Sequence, residues 1–326
     1  MTHVQAGDVA QSLVSSTDVM VAAQLACLLE VSAPKPGNVS PGRHFSDTRY
    51  EDFLASAAAL GAPLANAAGQ SLGLTVRLAI EATRRWVSGN TNLGIVLLLA
   101  PLARAALRDS GARESGLVES RIPNPESLAP DRLRAALRQV LDETTTEDAR
   151  DVYAAIRMAS PGGLGDAETQ DVAGEPDVTL LEAMRLAAHR DGIAREYETA
   201  FEVTFGIGVP ALQHARADGL PWDDAVVETF LTMLAANIDT HVVRRAGVAV
   251  AANVLERARY VIGCGGVRTE AGRRALEEMD RAIRDTGNAG NPGTTADLTA
   301  AAIFVFVLCG GWSRERDAER VRREKR

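Results

Sequence analysis

The sequence predicts an all-α fold, a single large helical bundle of roughly a dozen helices with polar active-site loops gathered at one end. Three observations carry this. Apolar residues recur at helical spacing along most of the 326 residues, and no segment shows the period-2 alternation of a half-buried strand. Aromatic residues are only 4% while Ala and Leu abound, which suits closely packed helices better than a β-sandwich. Hydrophobic residues make up 46% of the chain, enough to fill one large core.

Taken in order, residues 8–31 read as a helix with Val9, Leu13, Val19, Ala23, Ala26 and Leu29 on its apolar stripe, followed by a loop rich in Pro and Gly. Segments 49–68, 71–88 and 91–109 read as helices with small residues on their contacting faces, and the polar run 110–130 as a surface connection. Helical spacing returns at 131–142 and 146–159, the latter opened by Thr145 or Thr146 as N-cap. Residues 160–177 carry too much Gly and Pro for regular structure, and a loop of that length inside a domain points to function or disorder. Helices resume at 178–204, 208–217, 222–237, 241–259 and 269–285, and after a Gly-rich loop a last apolar helix covers 295–309. Residues 1–312 are thus expected to form one domain and 313–326 a charged tail that frays.

Several classes are disfavoured at once. A net charge of −8 argues against a general nucleic-acid or anionic-membrane surface, so any phosphate recognition must be local. Cys27, Cys264 and Cys309 are odd in number and far apart, giving neither a disulfide framework nor a zinc spacing. The apolar runs Ile95–Ala106 and Ala300–Cys309 are too short to span a bilayer, and the polar start lacks a signal pattern, so a cytoplasmic protein is expected. A homo-oligomer is compatible with all of this.

Five segments combine Gly or Pro with residues suited to phosphate. Pro34-Lys35-Pro36-Gly37-Asn38, continuing to Arg43, His44 and Asp47, is the first. Lys35 and Lys325 are the only lysines, so the body of the chain uses arginine everywhere except at Lys35. A compact point charge held by two prolines would make a phosphate clamp; an ordinary interhelix loop with one exposed lysine explains the same residues. The second is Glu81 followed by Ser88-Gly89-Asn90-Thr91-Asn92-Leu93-Gly94, where Asn90 or Thr91 would cap a helix whose free N–H groups suit an anion, or would simply cap it. The third is the 160–177 loop with Asp166, Glu168, Asp171 and Glu175, readable as a nucleotide cover, as Mg²⁺ ligands or as a solvated flap. The fourth runs from Asn237 through Asp239, Thr240 and His241 to Arg244 and Arg245, offering a carboxylate and guanidinium forks, or a buried helix-end salt bridge. The fifth, Asn288 to Leu298, places Asn291, Gly293, Thr294 and Asp297 at a helix start, where Asp297 serves a site or merely complements the dipole. The pairs Arg190-Asp191 and Arg195-Glu196 read as structural neighbours on a helix.

The order of these segments, a KPG loop with a later His and Asp, an Asn-Thr pair ending in Gly, an Asp-Thr with a later Arg, then Asn291-Pro292-Gly293 leading to Ala296-Asp297-Leu298, resembles the triphosphoribosyl-dephospho-CoA synthase family from about Ser32 to Phe306. The resemblance implies an all-helical pentosyltransferase moving the 5-triphosphoribosyl group of ATP to the 2′-hydroxyl of 3′-dephospho-CoA or a related acceptor, with release of adenine. It further implies a cation clamp for ATP and phosphate drawn from Lys35, Gly37, Asn38, His44, Asn90, Thr91, Asn92, Arg244, Arg245, Asn291, Gly293 and Thr294. Glu81, Asp47 and Asp239 are then the catalytic carboxylates, and Asp239 and Asp297 the ligands of an inferred Mg²⁺. Bacterial members typically read NTHKG at Asn90–Gly94 and DTN at Asp239–His241, so this chain resembles an archaeal-type branch, and its acceptor stays open. Competing readings are a Mg²⁺-dependent nucleotide or ADP-ribosyl hydrolase and a non-catalytic nucleotide sensor.

Overall fold

The computed structural model describes residues 14–108, 128–160, 169–284 and 288–312. Fourteen α-helices cover most of them, with no β-strand among the described residues. They are α1 (Ser16–Ser32), α2 (Tyr50–Ala65), α3 (Leu72–Arg84), α4 (Leu93–Arg108), α5 (Pro130–Asp142), α6 (Thr146–Ala159) and α7 (Leu180–Ala187). After these come α8 (Gly192–Thr199), α9 (Val209–Ala217), α10 (Trp222–Ala236), α11 (Thr240–Ala246), α12 (Val248–Gly263), α13 (Glu270–Ile283) and α14 (Gly293–Leu308).

Two helices make the centre. Helix α4 buries thirteen of its sixteen residues and α14 buries twelve of sixteen, and they pack on each other. A helix apolar all round must be enclosed. Around this pair α1, α9, α10 and α11 pack on α14, while α1, α2, α3 and α5 pack on α4. Helix α12 packs on both α10 and α13, and Arg273 of α13 pairs with Asp224 of α10.

Local chemistry sets the helix starts. Ser15 with Asp18, Thr145 with Asp148 and Thr179 with Glu182 form reciprocal capping boxes at α1, α6 and α7. The cap of α6 is therefore Thr145 rather than Thr146. Asp148 also accepts a hydrogen bond from Gly73 N at 2.8 Å, tying α6 to the start of α3.

The expected continuous helices at 178–204 and 241–259 are each broken, because a periodic pattern does not register a change of direction. Asp191 leaves helical geometry and caps a new helix, α8. Ala200 and Phe201 then adopt positive φ of 50° and 60°. The buried carboxylate of Glu196 holds this turn through Val203 N and Thr204 N, each at 2.9 Å. Gly247, at φ 89°, separates α11 from α12 in a conformation an L side chain rarely adopts. Most of the 110–130 connection, residues 161–168 of the long loop and the 313–326 tail lie outside the described residues. No helix among the described residues is long and apolar enough to cross a membrane.

Candidate active site

A cleft of about 770 Å³ opens where the starts of α4, α8 and α14 meet α6, α7 and α11. One side is apolar, made by Leu97, Val152, Ile156, Leu180, Ala183 and Met184. The other is polar and is built from helix ends. Such ends expose backbone N–H groups and the positive pole of the helix dipole.

Each start is tied to its neighbours. Asn90 Oδ1 accepts from Leu93 N at 3.1 Å and caps α4. Asp191 Oδ1 accepts from Ile193 N and Ala194 N at 2.9 and 3.0 Å, and its other oxygen meets Arg244 Nη1 at 3.1 Å. Thr240 Oγ1 accepts from Gly192 N at 2.9 Å, joining α11 to α8. Thr294 Oγ1 accepts from His241 N at 3.1 Å. Two glycines let these elements close up. A Cβ on Gly94 would collide with Asp297 Oδ2, and one on Gly293 would lie 2.7 Å from His241 Nδ1.

Two kinds of group remain available in the cleft. Arg244 Nε and His241 Nε2 are buried and have no hydrogen-bond partner among the described residues. Asp297 is the one cleft carboxylate without a hydrogen-bond or ion-pair partner among them. Burial, followed by the nearby charges of Glu30 and Asp239, pushes the Asp297 carboxyl well above the usual aspartate range. Burial, then Arg244 and Arg245, pushes the His241 imidazole down to about 4, so it is neutral at physiological pH. The arrangement can bind an anion at helix starts beside a guanidinium fork and can accept a proton at a nearby carboxylate.

Of the residues singled out in the sequence, Asn90, Gly94, Arg190, Asp191, His241, Arg244, Thr294 and Asp297 line the cleft, with Asp171 from the long loop. Gly293 supports it from behind His241. Thr91 and Asn92 turn inward instead. Thr91 Oγ1 lies 2.5 Å from Ser56 Oγ, and Asn92 Nδ2 donates to Thr83 Oγ1 at 3.0 Å. Asn291 keeps a buried, unpartnered Oδ1 but is not on the cleft wall. Arg245 is exposed on α11.

Asp239 differs most from its expected metal and base role. It is 2% exposed, with one oxygen taking Val242 N at 3.0 Å and the other taking Thr295 N and Oγ1 at 2.8 and 2.7 Å. Both oxygens are committed to joining α11 and α14. Burial raises its carboxyl despite these donors.

The KPG loop does not line the cleft, although Gly37 packs against Pro292 at the start of α14. Lys35 is fully buried, its Nζ 2.9 Å from Glu30 Oε1 and donating to the carbonyls of Glu30 and Ala33. A lysine in a Pro-held loop just after α1 here folds back onto the last carbonyls of that helix, acting as a C-terminal cap rather than standing open to a phosphate. Gly37 N donates to Asp280 Oδ1 at 2.7 Å, and Arg43 Nη1 reaches Asp280 Oδ2 at 3.1 Å, fastening the loop to α13. Asn38 bonds Pro36 O at 3.1 Å, and its own carbonyl accepts from Arg284 at 2.6 Å. His44 Nδ1 accepts from Tyr50 N at 3.1 Å, and the exposed Asp47 accepts from Thr48 Oγ1 at 3.2 Å. Glu81 pairs with Arg77 at 2.8 Å, which also holds Asp151 at 2.7 Å. None of these lines the cleft.

Sequence reasoning read Asp191 as structural, and it placed His241 within a candidate segment without giving it a role of its own. The first signalled itself only as Asp before Gly at a helix start, and the second as a departure within a motif.

The protein-family model described as ATP:dephospho-CoA triphosphoribosyl transferase, CitG, matches residues 16–316. The chain belongs to this family. The Klebsiella pneumoniae 2-(5''-triphosphoribosyl)-3'-dephosphocoenzyme-A synthase is 34% identical over 119 residues, 36% of this chain and 42% of that protein. A Pseudomonas putida protein named "Probable 2-(5''-triphosphoribosyl)-3'-dephosphocoenzyme-A synthase" is 35% identical over 114 residues, 35% of this chain and 40% of its own length. The alignments thus span about two fifths of these curated relatives. The crystal structure of a candidate triphosphoribosyl-dephospho-CoA synthase from Archaeoglobus fulgidus superposes with a TM-score of 0.58 at 26% identity, covering 79% of this chain and 99% of that one. The CitG-family fold is accordingly all-α in this chain.

Proposed function

We propose that the chain transfers the 5-triphosphoribosyl group of ATP to a hydroxyl of dephospho-CoA or a related acceptor and releases adenine. The observation that carries this is the division of the cleft. Three helix starts meet Arg244, whose Nε is unspent, and Leu97, Val152, Ile156, Leu180, Ala183 and Met184 add an apolar lining. A triphosphate suits the first and an uncharged acceptor arm the second.

The chemistry then needs few groups. The acceptor oxygen bonds to C1′ of the ribose while the C1′–N9 bond breaks and its electron pair leaves with adenine, which takes up a proton. The acceptor proton passes to Asp297, the cleft carboxylate with no partner among the described residues and a raised affinity for protons. The same carboxylate favours the positive charge that develops on the ribose.

The protein residues do not by themselves make a magnesium site. Asp239 is committed on both oxygens, and among the described residues no group of three or more His, Cys, Asp or Glu could hold a metal ion. Mg²⁺ enters this reading as the counter-ion of the triphosphate, held by phosphates and water as is its habit.

The test is to incubate the protein with ATP and Mg²⁺, with and without dephospho-CoA, and to follow adenine by chromatography. Adenine released only with acceptor is the expected result. Phosphate release, or adenine release independent of acceptor, would point to a hydrolase and contradict the reading.

A further inference from the structure

His241 lies three residues before Arg244, and both side chains line the cleft. Its ring is fixed rather than free. The Nδ1 edge rests against Gly293, and the backbone N–H of the same residue donates to Thr294 Oγ1 at 3.1 Å. The opposite nitrogen, Nε2, is buried and has no partner among the described residues. The residue thus presents one directional hydrogen-bonding atom in a fixed place. Two guanidiniums on its own helix and its burial keep it uncharged, which makes it a poor phosphate ligand but a good partner for a neutral hydroxyl.

Its neighbours say which hydroxyl. Arg244 follows it on α11, and against it α14 places Thr294, which accepts its backbone N–H, and, one turn on, Asp297. In the function proposed above, on which this inference rests, phosphates sit at Arg244 and the reacting carbon sits by Asp297. The part of a nucleotide that lies between its phosphates and that carbon is the ribose.

We infer that His241 is a specificity residue that reads a ribose hydroxyl of the nucleotide donor through Nε2. Neutral hydrogen-bonding sites of this kind reject analogues that lack the hydroxyl, because the buried protein atom is then left unpaired.

Calorimetric titration of ATP, 2′-deoxy-ATP and 3′-deoxy-ATP into the full chain, its H241F and H241L variants and its H241Q variant tests this. The wild type is expected to bind ATP more tightly than at least one deoxy analogue by roughly ten-fold or more. H241F should lose that preference without a fall in melting temperature, since it removes a buried unpaired atom. H241L carries the same comparison should the larger ring fail to fold, and H241Q, which can return an amide to the Nε2 position, should keep part of the preference. Wild-type discrimination retained in H241F or H241L overturns the inference. Wild type that binds ATP but not selectively overturns it too, leaving the proposed function standing. Absence of ATP binding to the wild type overturns both.

Discussion

At the scale of single residues, Lys35 and Asp297 show how burial decides what a charge is for. Lys35 is spent on Glu30 and the end of α1, with neither partner reaching solvent appreciably. Removing one member of a buried pair strands the other, at a cost of roughly 3–5 kcal/mol. Lys35→Met should therefore lower the unfolding free energy, read from urea denaturation, by that order, and the double variant with Glu30→Gln should recover much of it. A stability equal to wild type in the single variant would mean the pair is not enclosed. For Asp297 the sign runs the other way from a salt-bridged carboxylate. Its folded carboxyl holds its proton to higher pH than the unfolded chain does. Stability is thus lost as pH rises through the window between the ordinary aspartate value and the raised one, and the full cost of the buried charge is felt above that window. Asp297→Asn should abolish transfer yet gain stability over wild type progressively as pH rises above the ordinary aspartate value of about 4, read from urea midpoints. A gain that does not change with pH would contradict the assignment.

Elements were legible where side chains announce them. Thr145 and Asn90 could be read as caps because a short polar side chain before an apolar run has few other uses, and the structure gives each a backbone amide to accept, whereas the cap Ser15 lay hidden inside the helix expected over 8–31. Breaks within periodic runs were not. Asp191 and Gly247 redirect the chain without disturbing the count of apolar residues, so α7–α8 and α11–α12 read as single helices. The role of Asp239 lies at this scale as well, since it caps α11 through Val242 N and holds α11 against α14 through two donors of Thr295. Asp239→Ala should cost roughly 1–3 kcal/mol. Faster hydrogen exchange should follow at the starts of both helices, measurable by mass spectrometry. Unchanged exchange at Thr295 would show that the link is not needed to position the site.

For the whole molecule, the fold class followed from the period of the apolar residues, because enclosed helices such as α4 and α14 leave that signature whatever surrounds them. The site was half legible. Motifs at 90, 244, 294 and 297 do meet, because polar helix starts cannot be buried among apolar helices and must share a cleft. The KPG loop looked equally chemical, but uniqueness of a lysine shows that a charge is kept, not whether it faces solvent or the end of its own helix. These two regions give the most direct test of the account, a crystal structure of the protein with a non-transferable ATP analogue. The account predicts the triphosphate at the starts of α4, α8 and α14 with Arg244 in contact and the ribose between His241 and Asp297. A nucleotide bound at the 33–47 loop, with Lys35 released from Glu30 to meet its phosphates, would contradict it.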